Sequence, residues 1–190
     1  CIVAAMPTDV RFAGALVTGG GSGIGRAIVG ELLNYTQNAE YDIREELAIK
    51  IAILAEKFAA DYRWYVDTIL HLIAIAGDFV SDDVWHRVCR IVTNHEDVQE
   101  YAARRAYQAA SDPRCHEIAA RTAGYILGEF GHLIADEDGS RPMDQFRVLH
   151  RKFITYTPRS KALLLSTYIK FVNLYPEEAE LLRLVADVLK

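Results

Sequence analysis

Cysteine, proline and positive charge are all scarce in this chain of 190 residues, and each shortage excludes something. The three cysteines, Cys1, Cys89 and Cys115, cannot pair completely and form no C-x-x-C, so neither a disulfide framework nor a zinc site is supported, and a reducing compartment such as the cytoplasm fits. Lys and Arg number 21 against 26 Asp and Glu, a net charge of -5, so there is no positive field to hold a polyphosphate backbone and nucleic acid is excluded as a partner. The longest apolar stretch, residues 69–76, is interrupted by His71. It falls far short of the roughly 20 residues a bilayer demands, so no transmembrane segment is expected. The chain opens on Cys1 with no initiator methionine and no positive-then-apolar leader, and is expected to be a piece of something longer.

Glycine is scarce everywhere but at the start. Gly14, Gly19, Gly20, Gly21, Gly23, Gly25 and Gly30 are seven of the twelve, and four of the five prolines fall after residue 30. Average usage is about 7% Gly and about 5% Pro, so the long remainder has too few tight turns for a hairpin-rich sheet and predicts an all-α fold. Ile43, Leu47, Ile51, Leu54 and Phe58 recur at helical spacing and form one apolar stripe. Asp61 is expected to cap a second helix, whose buried face holds Tyr62, Val66, Ile69 or Leu70, and Ile73, and which Gly77 ends in a left-handed cap. Ser81, followed by Asp82 and Asp83, is expected to cap the next helix, with Val84, Trp85, Val88, Ile91 and Val92 as its stripe, and its partner runs over about residues 96–110. A third pair covers about residues 115–135 and 142–153, joined by the polar loop 136–141. A fourth follows Thr157-Pro158 and restarts at Pro176-Glu177-Glu178. First helices near residues 41, 81, 115 and 159 give the spacing of HEAT and armadillo repeats, about 40 to 47 residues. The expected architecture is a short right-handed helical solenoid whose repeats cover one another's apolar faces, with no pocket built for catalysis.

One motif points elsewhere. Thr18-Gly19-Gly20-Gly21-Ser22-Gly23-Ile24-Gly25 follows a short apolar run and resembles the nucleotide-binding opening of the short-chain dehydrogenase/reductase family. Under that alternative Thr18, Gly19, Gly23 and Gly25 bind the pyrophosphate of NAD or NADP, since glycines let backbone amides approach an anion at a helix start. The second strand such a unit needs should lie near residues 34–41, where the chain reads Asn-Tyr-Thr-Gln-Asn-Ala-Glu-Tyr, too polar for a buried parallel strand. Asp42 stands at the distance of a ribose-binding acid but reads as a surface residue opening a helix. No tyrosine is followed four residues later by lysine; Tyr101 with Arg105 comes nearest, and a guanidinium stays protonated. Dehydrogenase activity is therefore excluded by this reading.

Other chemistries fail on spacing. The glycine run lacks the closing Gly of a nucleophile elbow and the Lys-Ser/Thr of a phosphate loop. Histidines 71, 86, 95, 116, 132 and 150 form no H-E-x-x-H and no pair at i, i+4, so no metal site is expected. Asp136, Asp138 and Gly139 make half a calcium loop without its glutamate and read as a solvated turn. The doublets Arg104-Arg105 and Arg151-Lys152 read as solvated helix surface, and Trp64 and Trp85 as packing residues. No catalytic, cofactor or metal residue is assigned.

From about residue 28 the chain carries Ile43-Arg44-Glu45-Glu46, Ala52-Ile53-Leu54-Ala55-Glu56-Lys57, Trp64-Tyr65-Val66-Asp67 and the block from Ala76-Gly77-Asp78-Phe79 to Asp83-Val84-Trp85. Tyr125-Ile126-Leu127-Gly128-Glu129-Phe130-Gly131 and Leu163-Leu164-Leu165-Ser166-Thr167-Tyr168-Ile169-Lys170-Phe171 follow in order. Together these blocks resemble the trunk of the alpha-adaptins, the large subunits of the plasma-membrane clathrin adaptor. The resemblance implies a non-enzymatic helical scaffold acting in clathrin-mediated endocytosis. It implies beta, medium and small adaptor chains as partners, and a cytoplasmic location, peripheral at the plasma membrane in coated pits through the full complex. It carries over no lipid-, cargo- or subunit-contacting residue. Residues 1–27 do not share the resemblance. They are expected to be a mobile or only partly ordered segment, joined artificially to an adaptin-like domain of residues 28–190.

Overall fold

Apolar side chains returning every three or four positions place a helix wherever no glycine or proline intervenes, and the computed structural model, which describes residues 22–59 and 61–190, is built of helices alone among those residues. In chain order they are α1 (Ser22–Asn38), α2 (Tyr41–Phe58), α3 (Tyr62–Ala76), α4 (Asp82–Asn94), α5 (Glu96–Ser111), α6 (Glu117–Phe130), α7 (Pro142–His150), α8 (Pro158–Leu174) and α9 (Ala179–Val188). Short 3-10 turns at Gly77–Phe79, Gly131–Ile134 and Phe153–Thr155 bend the chain between them. First helices of successive pairs start at residues 41, 82, 117 and 158, close to the spacing that the stripes predict.

Packing runs in two layers. Helices α1, α3, α5 and α7 contact one another in succession on one side, and α4, α6 and α8 on the other, while each pair also packs internally as α2 on α3, α4 on α5, α6 on α7 and α8 on α9. Residues 34–42 lie at the end of α1 and the start of α2, so no second strand stands there and the dinucleotide-binding alternative loses its sheet. Between the layers runs one continuous core that includes Ile51, Tyr65, Ile69, Ile73, Val88, Ile126, Leu149, Leu164, Tyr168 and Leu181, all buried. Where layers meet most closely the side chains are small. Ala102, Ala103, Ala106 and Ala110 of α5 and Ala119, Ala120 and Ala123 of α6 are buried where these two helices pack, and within the second layer a β-carbon on Gly124 of α6 would meet Leu164 Cδ2 of α8 at 2.5 Å.

Helix ends divide into those with a side-chain cap and those without. Asp61 accepts the Arg63 N–H at 2.9 Å, and Gly77, at φ 53°, returns its own N–H to the Ile73 carbonyl, as their positions predict. Ser81 and Thr157 do not cap with their side chains. The Ser81 carbonyl takes the Val84 N–H instead, and the Thr157 hydroxyl is drawn away to Glu117. Helix α9 begins at Ala179 rather than at Pro176, because residues 176–177 complete a turn first. The polar loop 136–141 is anchored inward: the Ser140 hydroxyl donates to the Ile134 carbonyl at 2.7 Å, and buried Gln145 donates to the Gly131 and Ser140 carbonyls at 2.9 and 2.8 Å.

Helix α1 crosses the boundary that the sequence places at residue 27. Gly25 and Val29 are buried, and a β-carbon on Gly25 would overlap the Phe58 ring of α2. Residues 22–27 are therefore part of the helical stack, and the remainder of the 1–27 segment, residues 1–21, lies outside the described residues.

Candidate interaction surface

Stacking related repeats brings side chains one repeat apart into register, and the polar bonds between helices show that period. Tyr101 Oη and Arg105 Nε of α5 both donate to the Asp67 carboxylate of α3 at 2.6 Å. Arg121 Nη2 donates to Asp82 at 2.8 Å, Lys152 Nζ to the Cys115 carbonyl at 3.1 Å, and the Thr157 N–H to Glu117 at 3.1 Å. Lys170 meets Glu129. These partners are separated by 34 to 41 residues, about one repeat. Glu56 with Arg87 and Arg104 with Glu137 add ties of 31 and 33 residues.

Asp82, at the first turn of α4, joins three repeats. Its carboxylate accepts from Trp85 Nε1 at 3.0 Å, from Arg121 of α6, and from Arg159 of α8, which lies 77 residues along the chain. The Arg121 side chain is 8% exposed and lies 5.1 Å over the Trp85 ring, so its charge is desolvated and depends on that carboxylate. The Trp85 hydrogen bond, with Arg121 and Arg159 behind it, holds the Asp82 carboxyl below its ordinary value. Beside it Glu117 accepts both the N–H and the hydroxyl of Thr157; burial raises its pKa, but the Thr157 hydrogen bonds and the nearby Arg121 charge outweigh it and hold the carboxyl below its ordinary value. Three helix starts, of α4, α6 and α8, converge here on a 360 Å³ cleft.

Several of the side chains that the sequence weighs for chemistry are engaged in structure, while His71 and His132 are exposed and Cys1 lies outside the described residues. Tyr101, the candidate nearest a reductase tyrosine, has its phenol pushed up by burial and then by the Asp67 bond, the reverse of what a proton-shuttling tyrosine needs. Burial pushes the Cys89 thiol up to about 12 and that of Cys115 up to about 11, so neither is an activated nucleophile. His116 caps α6 through Nδ1 and approaches Asp78 at 2.9 Å through Nε2, His95 stacks on Tyr62 at 3.8 Å, and His150 lies between Phe146 and Phe153, each 5.1 Å away. Burial lowers the His150 pKa, leaving its ring neutral at neutral pH. Among the described residues no cluster of His, Cys, Asp and Glu has the make-up of a metal site. Gly139, at φ 84°, closes the 136–141 turn, and its carbonyl accepts from Tyr107 Oη at 2.5 Å.

Trp64 lies under Arg26 at 5.0 Å and Trp85 under Arg121, so both rings pack against cations as well as apolar neighbours. The basic doublets do more than solvate a helix. Arg104 pairs with Glu100 and Glu137, Arg105 with Asp67, and Arg151 and Lys152 reach the Ser111 and Cys115 carbonyls. That cross-repeat role has no local signal in the sequence. Of the alternative cofactor set, Gly23 and Gly25 sit inside α1, where Gly25 serves its close approach to Phe58, while Thr18 and Gly19 lie outside the described residues. Asp42 falls in the first turn of α2, a helix start as its position predicts.

What these helices offer at the surface is shape. Besides the cleft at Asp82, a 680 Å³ groove runs along Asp67, His71, Arg105 and Gln108 between α3, α5 and the start of α6, and an 810 Å³ groove opens between α7 and α9. No helix among the described residues is long and apolar enough to cross a membrane.

Comparison with known proteins places these features in a lineage. The family model for the adaptin N-terminal region matches residues 24–190. The chain is 64% identical over 150 residues to the AP-2 complex subunit alpha-2 of Dictyostelium discoideum, covering 79% of this chain and 15% of the relative. It is 49% identical over 164 residues to the AP-2 complex subunit alpha-1 of Arabidopsis thaliana, covering 86% and 16%. It is 42% identical over 152 residues to the AP-2 complex subunit alpha of Schizosaccharomyces pombe, covering 80% and 17%. The chain thus spans about one sixth of the length of these curated relatives. The family match opens at residue 24, inside α1, a little before the start that the quoted sequence blocks suggest.

Proposed function

Because the chain belongs to the adaptin family, we propose that it is a non-enzymatic scaffold segment of an alpha-type clathrin adaptor large subunit, acting in vesicle-mediated transport at the plasma membrane through protein-protein contacts. The observation that carries this reading is the two-layered stack whose polar residues tie one repeat to the next, combined with the family match over nearly all of the described chain. Side chains engaged in such ties hold a curved surface constant, and a constant surface is what a scaffold must present to its neighbours. The names of the relatives, subunits of a complex, support other chains as partners, and we take these to be the beta, medium and small chains of the adaptor. The site of action follows as cytoplasmic, peripheral to the membrane through the assembled complex.

The test is affinity capture. The chain, co-expressed with tagged beta, medium and small chains, is expected to co-purify with at least one of them in a fixed ratio that survives gel filtration. Co-purification with none of the three would overturn the reading.

A further inference from the structure

His116 is bonded through both of its ring nitrogens, to elements about one repeat apart. As the N-cap of α6 it accepts the Ile118 N–H on Nδ1 at 3.3 Å, and its Nε2 lies 2.9 Å from the Asp78 carboxylate in the turn that follows α3. A ring nitrogen that accepts an N–H carries no proton of its own. The cap therefore requires a bare Nδ1 and a proton on Nε2, which is the nitrogen that donates to Asp78. Gly77 lies against the ring edge, where a β-carbon would stand 3.4 Å from His116 Cδ2. Ser, Thr, Asp and Asn, the usual caps, keep an acceptor oxygen near neutral pH. Histidine does not, since its charge changes between about pH 5 and 8.

Charged groups from each element packed here border the ring, and most are matched among themselves. On the side of the 360 Å³ cleft, Asp82 of α4 holds Arg121 and Arg159, and Glu117 holds the N–H and hydroxyl of Thr157. On the side of the 680 Å³ groove, which His71 of α3 also lines, Asp67 is paired with Arg105 and Asp112 with Arg114. The neighbouring Cys115 thiol, pushed up to about 11 by burial, stays neutral, and Lys152 ends on the Cys115 carbonyl. Asp78 is answered by His116.

We propose that His116 is a proton-operated cap: neutral, it starts α6 by holding the Ile118 N–H, and protonated, it releases that N–H and keeps its bond to Asp78 on the preceding repeat. Both nitrogens of an imidazolium are donors, so Nδ1–H and the Ile118 N–H would confront each other. A positive charge at the start of α6 also opposes the helix dipole, which drives the ring from the first turn while the Asp78 carboxylate draws it the other way. The Asp78 side chain is 87% exposed, so the pair adds little free energy and serves to direct the ring. Because the ring borders both the cleft and the groove, its displacement alters both.

Nuclear magnetic resonance of the whole chain, labelled with nitrogen-15, tests this between about pH 8 and about pH 5. Long-range correlations from the ring carbons' protons to the ring nitrogens report the tautomer, and His116→Asn identifies which of the histidine signals belongs to this ring. At the upper pH the proton is expected on Nε2 and the bare nitrogen at Nδ1. As the ring takes up its second proton, the Ile118 amide proton should move upfield along the same pH course, as an N–H does on losing its acceptor. In His116→Asn, which caps without changing charge, the Ile118 amide should stay in place over that range. Asp78→Ala, at an exposed position that leaves folding intact, should raise the share of the tautomer protonated on Nδ1. A ring protonated on Nδ1 at the upper pH would overturn the proposal. So would an Ile118 amide that ignores the ring's protonation, one that moves equally in His116→Asn, or a tautomer unchanged by Asp78→Ala.

Discussion

Asp82 joins α4, α6 and α8 through one carboxylate, and the consequences can be worked out at the scale of that residue. Asp82→Asn keeps the shape but removes the charge, leaving the desolvated Arg121 guanidinium short of its counter-ion. A hydrogen bond to a charged group contributes about 1.5–3 kcal/mol, so a loss of about 2 kcal/mol is expected at pH 7. In a chain of this size that lowers Tm by about 4–8 °C. The sign with pH follows from the lowered carboxyl: its stabilisation is complete above the ordinary value of 3.8 and disappears as pH falls through the lower folded-state value. Thermal melts should therefore show a gap between wild type and variant at pH 7 that closes as pH drops below about 4. A gap independent of pH would mean that the residue acts through packing alone.

Helix ends make a sharper test at the scale of elements, because similar cap residues do different things here. Asp61 caps α3 with its side chain whereas Ser81 does not cap α4 with its own. Asp61→Ala is expected to cost about 1 kcal/mol and Ser81→Ala a few tenths at most, as read by urea denaturation midpoints at constant slope. Equal losses would contradict the assignment. Gly25 is the second case: Gly25→Val would drive its side chain into Phe58 and is expected to cost about 1–3 kcal/mol, with hydrogen exchange accelerated in α1 while α6 and α8 keep their protection. The four helical pairs from residue 41 onward and their spacing were legible in the apolar stripes, since a stripe is a local property of ten to eighteen residues, whereas α1 was not, its start lying in the glycine string. Whether Ser81 or Thr157 would cap was not, because Thr157 was claimed by Glu117, forty residues away. The same distance hid the Asp82 cluster: nothing local to Arg121 or Arg159 marks either as a partner of Asp82, and only stacking sets them beside it. The glycine string misled for a related reason, since a glycine that permits close approach to a phosphate and one that permits close approach to Phe58 look alike in sequence.

For the whole molecule, the account holds that ionisable side chains tie repeats together and leave function to the outer faces. The alpha-adaptin resemblance was legible in collinear blocks, while the groove between α7 and α9 was not, because Phe146, Ile154 and Leu184 belong to three separate elements that only the fold assembles. The most direct test is hydrogen exchange of the whole chain, alone, with the co-purified adaptor chains, and with NAD or NADP. The account predicts new protection at the exposed ends and faces of the helices when the adaptor chains are present, unchanged exchange in the core of α3, α6 and α8, and no response to either dinucleotide. Protection of α1 around Gly23 and Gly25 by a dinucleotide, with none from the adaptor chains, would contradict it.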